Sequence, residues 1–167
     1  MKAPMIVSAT VPTTVPATVA RARRQRIPLF TPPIQQGKAM PPSRLLIIED
    51  EPLIRMFLDE ALCDAGFQVE AAGRADDGMA LLHEGGSVFD AVVVDLGLPD
   101  RQGDRFAEEI RAAWPTLPIV IASGQNAARL VSRFVADARV RVIEKPYKIE
   151  TLCDALATLG VTPGPPG

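Results

Sequence analysis

The sequence predicts a doubly wound α/β fold in which five parallel strands alternate with five helices that cover both faces of one sheet. Three observations carry this expectation. Five short runs rich in Val, Ile, Leu and Ala alternate strictly with five stretches of helical apolar periodicity. The first, third and fourth runs (LLII, AVVV, IVIA) are apolar throughout, the pattern of a strand buried on both faces. The chain has 167 residues, 47% hydrophobic and 23% charged, which is room for one domain of ordinary size and some tail.

The first strand is Arg44–Ile48 (RLLII), which runs into Glu49-Asp50-Glu51. Pro52 suits the first turn of a helix, with Glu51 or Asp50 as its N-cap. Leu53, Phe57, Ala61 and Ala65 then repeat at i, i+4, with Ile54, Leu58 and Leu62 beside them, and Gly66 is the expected stop. Phe67–Ala71 reads as strand two and Ala75–His83 as helix two, closed by Gly85-Gly86. Ala91–Val94 (AVVV) is strand three, ending at Asp95; a Gly/Pro loop leads to helix three, about Asp104 to Trp114. Leu117–Ala122 is strand four, ending at Ser123-Gly124, and helix four runs from about Gln125 to Val135. Val140–Ile143 is strand five, ending at Glu144-Lys145-Pro146, and helix five spans about Ile149–Leu159. Strict βα alternation with right-handed crossovers leaves few topologies, and the flavodoxin-like strand order 2-1-3-4-5 is the common one for five units.

Outside this body the composition changes. Residues 1–43 hold 8 of the 16 prolines and six basic residues (Lys2, Arg21, Arg23, Arg24, Arg26, Lys38), with no Asp or Glu. This segment is expected to be a disordered, Pro/Arg-rich tail. The domain is expected at 44–160, and 161–167 (VTPGPPG) as a flexible C-terminal tail. The residues after the tail carry 12 basic and 20 acidic groups, a net of -8, which argues against a nucleic-acid surface. Two cysteines do not make a disulfide scaffold, and no apolar run is long enough to span a membrane, so a cytoplasmic protein is expected.

In an open parallel sheet, ligands bind beyond the carboxyl ends of the strands. Strand one delivers Glu49, Asp50 and Glu51 there, strand three Asp95, strand four Ser123 and strand five Lys145, while strand two delivers only Ala72-Gly73. Carboxylates about 4 Å apart repel by about 4 kcal/mol per pair at an effective dielectric of 20, and one lysine offsets only part of that. Protonation or a bound cation must offset the rest. Oxygen ligands without His or Cys suit Mg²⁺. A carboxylate beside such a cation and a lysine can act as a nucleophile toward phosphorus.

These residues resemble the receiver domain of two-component response regulators, over about residues 44–160. The resemblance rests on LIIEDEP (46–52), DLGLPDRQG (95–103), IASG (121–124) and EKPY (144–147), each in order at the end of the right strand. It implies that Asp95 accepts a phosphoryl group in a Mg²⁺-dependent step. Asp50 would hold the metal directly, Glu49 through water, and the carbonyl of Gly97 would be a further ligand. Ser123 would be the switch hydroxyl, Lys145 would pair with Asp95 or its phosphate, and Lys145–Pro146 would be cis. A sensor histidine kinase or histidine phosphotransfer protein would be the phosphodonor. With seven or eight residues after helix five and no output domain expected, the protein reads as a single-domain regulator. It would catalyse its own phosphotransfer and autodephosphorylation, act on an unidentified protein target, and exist as a monomer or weak homodimer.

One departure stands out. The position three before the lysine, where the family often has Tyr or Phe, is Val142. It bears on how Ser123 would couple to a switch, and the alternative is a phosphorylation-independent interaction module on the same fold, against which the acidic pair, Asp95 and Lys145 argue. A haloacid-dehalogenase-type phosphatase needs a second Asp two residues after the nucleophile, where Gly97 stands, and the acidic first loop does not suit a flavin phosphate. The remaining polar residues have plainer readings. Glu51 reads as a helix cap, and Arg101, Arg105 and Arg111 as solvated helix-face charges. His83 reads as a cation suited to a helix C-terminus, Trp114 as packing at the end of helix three, and Cys63 and Cys153 as reduced buried thiols on one face of the sheet.

Overall fold

The computed structural model describes residues 41–85, 88–124, 127–134 and 136–165. Five strands and five helices alternate: β1 (Arg44–Ile48), α1 (Pro52–Asp64), β2 (Gln68–Ala72), α2 (Ala75–Gly85), β3 (Ala91–Asp95), α3 (Gly103–Ala113), β4 (Ile119–Ser123), α4 (Ala127–Phe134), β5 (Val140–Glu144) and α5 (Ile149–Thr158). The sheet is parallel throughout, in the order β2-β1-β3-β4-β5, as the alternation requires. Of the expected tail 1–43, residues 1–40 lie outside the described residues. At its edge, the Ser43 hydroxyl donates to the carbonyl of Thr162 at 2.7 Å, and the Gly164 amide donates to Gly66 at 2.9 Å, so the two ends of the domain meet at the base of the sheet.

The period of two along each strand divides the core. Leu46, Ile48, Val92, Val94, Ile119 and Ile121 face one side, with Leu82 of α2 and Phe106 and Ile110 of α3. Leu45, Ile47, Val93, Val120 and Ile143 face the other, with Leu58 and Leu62 of α1 and Leu152 and Leu156 of α5. Both faces of β3 and β4 are therefore covered, which is why these strands are apolar up to their last residues, Asp95 and Ser123.

Two glycines shape the connections. Gly66 ends α1 with φ +94°, its amide bonded to Cys63 and that of Phe67 to Leu62, a left-handed cap that other residues adopt at a cost. Gly103 opens α3 so close to the preceding loop that a Cβ would stand 2.5 Å from the Leu96 Cα and 2.9 Å from the Asp95 carbonyl oxygen.

Several local expectations are corrected. On α1 the buried stripe is Leu58 and Leu62 with Ile54 beside it, while Leu53 and Phe57 are 70% and 58% exposed. Two apolar stripes lie side by side on this helix, and its docking angle on the sheet selects one. Glu51 occupies the N-cap position, but its side chain makes no capping bond. Arg111 is not a solvated charge: its side chain is 18% exposed, pairs with Asp137 at 2.7 Å, and donates to the carbonyls of Trp114 and Pro115. Arg101 lies before α3 and pairs with Asp76 and Glu109. Both cysteines are free, yet Cys63 is exposed and Cys153 half-buried, so neither is a core thiol. Trp114 stands at the end of α3, as its position suggests, with its ring 5.1 Å from that of His83 in the last turn of α2 and tilted 58° to it.

Candidate functional site

The carboxyl ends of β1, β3, β4 and β5 deliver the chemistry. Glu49 follows β1 and is buried, Asp95 ends β3 and is buried, and Asp50 is partly exposed between them and solvent. One carboxylate oxygen from each of the three lies within 4.8 Å of the others. Lys145 enters from the residue after β5. Its Nζ lies 2.9 Å from Glu49 Oε2 and 2.9 Å from Asp95 Oδ2, so one ammonium bridges the two buried carboxylates. The Lys145–Pro146 peptide is cis.

Ser123 is the last residue of β4 and is buried. The register places Ala122 opposite Asp95, so Ser123 stands one position further toward the open end. Its carbonyl accepts the Lys145 amide at 2.7 Å, which ties the two residues through the backbone. Gly97 is exposed in the loop after β3, and a Cβ there would lie 3.2 Å from Asp95 Oδ2, so its backbone runs directly beside that carboxylate. The geometry thus gathers Glu49, Asp50, Asp95, Gly97, Ser123 and Lys145 at one end of the sheet.

The electrostatics follow from burial and crowding. Burial pushes the Glu49 carboxyl above its usual range, with the Asp95 charge adding to this and the Lys145 contact opposing it. Burial alone would lower the Lys145 ammonium, but hydrogen bonds and charge from Glu49 and Asp95 outweigh it and hold the group above its ordinary value. Lys145 therefore remains a cation at neutral pH. Tyr147, two residues on, is raised mainly by burial and stays a neutral phenol.

Three features of the site had no signal in sequence spacing. The Glu49–Lys145 pair joins residues 96 apart. Asp100, in the loop after β3, accepts the amides of Ala75 at 3.1 Å and Asp76 at 3.0 Å, and so caps α2 from 25 residues away. Beside the acidic end, Ile54, Phe57, Leu58, Lys145, Pro146 and Tyr147 line an apolar groove of about 390 Å³. Exposed Leu53, Met56 and Phe57 extend the apolar surface along α1.

A five-stranded parallel sheet in this order, with a lysine and an acidic cluster compatible with a divalent cation beyond its carboxyl edge, defines a doubly wound α/β module with its site at the strand ends. The chain belongs to the response regulator receiver domain family, whose model matches residues 45–157. It is 28% identical over 109 residues to the two-component response regulator ARR2 of Arabidopsis thaliana, covering 65% of this chain and 16% of that protein. It is 35% identical over 132 residues to the transcriptional regulatory protein PdtaR of Mycobacterium tuberculosis, covering 76% of this chain and 61% of that protein. A solved response regulator receiver protein from Sinorhizobium medicae superposes with a TM-score of 0.63 at 29% identity, over 71% of this chain and 94% of that one. The chain therefore spans less than two thirds of the length of these two curated relatives. Among the described residues, no helix is long and apolar enough to cross a membrane.

Proposed function

We propose that this receiver takes a phosphoryl group onto Asp95 and signals through altered protein contacts in the cytoplasm. The observation that carries this reading is the Lys145 ammonium held 2.9 Å from Asp95 within a cluster of three carboxylates. In the step, an Asp95 carboxylate oxygen attacks phosphorus, the bond from phosphorus to the donor's histidine nitrogen breaks, and that nitrogen leaves with the electron pair. Lys145 offsets charge that builds on the phosphoryl oxygens, and the Ser123 hydroxyl donates to one of them. Hydrolysis of the acyl phosphate by water returns the carboxylate.

The donor set fits Mg²⁺: carboxylate oxygens converge without His or Cys, and two of the three are buried beside a single lysine. Glu49, Asp50, Asp95 and the Gly97 carbonyl would hold it, and the ion when bound supplies positive charge against the transferring group. Receiver domains interact with histidine kinases. Here the phosphodonor is a histidine kinase or histidine phosphotransfer protein, and the apolar surface of Leu53, Met56 and Phe57 beside the groove suits its docking. Phosphorylation replaces the Asp95 carboxylate with an acyl phosphate, so the negative charge grows and moves onto the phosphoryl oxygens next to β4 and β5, which biases α4 and its neighbours.

The test is the intact mass after incubation with phosphoramidate, with and without Mg²⁺, for the wild type and Asp95→Asn. One phosphoryl adduct that requires both Mg²⁺ and Asp95 is expected. A folded wild type with no adduct would overturn the reading.

Val142 favours a second reading. It is half-buried against the α2/α3 core and carries no ring to swing inward. A phosphorylation-independent interaction module would show identical amide exchange in α4 and β5 before and after loading Asp95.

A further inference from the structure

We propose that Arg55 is a positioning residue that sets the affinity of the acidic cluster for a divalent cation, an assignment that rests on the metal reading above. Arg55 lies on the second turn of α1, half-buried, and points back over the loop that carries the acidic pair. Its Nη1 donates to the carbonyl of Glu49 at 2.7 Å and to that of Asp50 at 3.2 Å. These two peptide groups carry the two side chains that must converge on one ion. On the other side, the Glu49 amide donates to the Ala72 carbonyl at the end of β2 at 3.1 Å. The backbone of the first acidic residue is thus held from both sides, by the neighbouring strand and by the guanidinium.

A second observation points the same way. The strand that brings no reactive group to this edge ends in Ala72-Gly73, and a Cβ at Gly73 would stand 3.1 Å from Arg55 Nη1 and 3.4 Å from its Cζ. Gly73 leaves the slot in which the guanidinium lies. β2 contributes to the site by making room for the group that orients it.

A group that holds metal ligands through their backbone acts on affinity without touching the ion, and loss of such outer contacts costs on the order of 10-fold or more in binding. The glutamine of Arg55→Gln is too short to reach both carbonyls. Gly73→Val fills the slot and displaces the guanidinium while keeping Arg55. Arg55→Lys retains a long cationic donor.

The experiment titrates Mn²⁺, as a probe for the divalent site, into the wild type and the three variants, and reads free Mn²⁺ by electron paramagnetic resonance alongside thermal unfolding. Arg55→Gln and Gly73→Val are expected to weaken Mn²⁺ binding about 10-fold, with Arg55→Lys recovering part of the loss. In phosphorylation by phosphoramidate, the Mg²⁺ concentration at half-maximal rate should rise while the saturating rate holds. Equal Mn²⁺ affinity in the wild type and in either folded variant, Arg55→Gln or Gly73→Val, would overturn the assignment and leave the metal reading intact. A wild type that holds no Mn²⁺ would overturn both.

Discussion

α1 and α4 are held to the sheet in opposite ways. α1 packs on β1 and β2, buries Leu58 and Leu62 completely, and still presents Leu53, Met56 and Phe57 to solvent. α4 packs on β5, and its described side chains Ala128, Arg129, Val131, Ser132 and Arg133 are exposed, with Phe134 half-buried. Among the described side chains of α4, Phe134 packs against the core and Arg133 pairs with Asp104 and Glu108 of α3, each at 2.5 Å. Burying a leucine stabilises by roughly 1.5–3 kcal/mol, whereas an exposed ion pair contributes about 0–1. The first helix is therefore a fixed platform with a spare apolar face. The second, in its described side chains, rests on one half-buried ring and on ion pairs, and is the element that the proposed phosphorylation of Asp95 would shift. A partner that must be received in one geometry is better served by the first, and a response that must be reversible by the second.

Four measurements sharpen or break this contrast. The largest effect is expected from Leu62→Ala, which should cost about 2–5 kcal/mol in urea unfolding because it empties a closed part of the core. A loss below about 1 kcal/mol would mean that α1 is no more firmly anchored than α4.

Asp100 is an intermediate case, a carboxylate that caps α2 from a distant loop. Its carboxyl sits below the ordinary value: burial acts against this, but the Asp76 and Ala75 amides and the Arg74 charge prevail. A depressed carboxylate contributes stability that is present above its unfolded value, near 3.9, and is lost as pH falls through the folded one. Asp100→Asn should cost on the order of 1 kcal/mol at neutral pH. It should also flatten the decline of stability below about pH 4, read from thermal unfolding across pH. An unchanged acid limb would assign that decline to other carboxylates.

Arg133→Ala should change global stability by less than about 1 kcal/mol while speeding amide exchange across residues 127–134. Exchange as slow as in the wild type would show that α4 is held by packing after all. The smallest effect on stability is expected at Phe57→Ala, within about 0.5 kcal/mol, since the ring is already in water. The same variant should slow phosphotransfer from a phosphorylated histidine kinase and leave phosphoramidate loading unchanged. Equal rates from the kinase would remove the apolar face of α1 from donor docking.

Local patterning carried much of this molecule. Five largely apolar runs separated by amphipathic stretches sufficed for a parallel sheet, and β1 spans Arg44–Ile48 as the sequence reads it. Strand ends such as Asp95, Ser123 and Lys145 were legible because the polar residue that closes each run projects past the edge where ligands bind. Gly66 was legible as a stop because the left-handed conformation that ends a helix favours glycine. What local pattern could not supply was orientation and long-range contact. The two apolar stripes of α1 are equivalent in sequence, and only docking on the sheet decided that Leu58 goes in and Phe57 stays out. Arg111 looked like a surface charge until the fold brought Asp137 to it. The bridge from Lys145 to Glu49, the cap from Asp100 to α2 and the slot that Gly73 opens for Arg55 all join different elements. A residue's chemistry and its nearest neighbours along the chain are written in the sequence. Which distant group it meets depends on how whole elements pack, and that the tertiary structure alone decided.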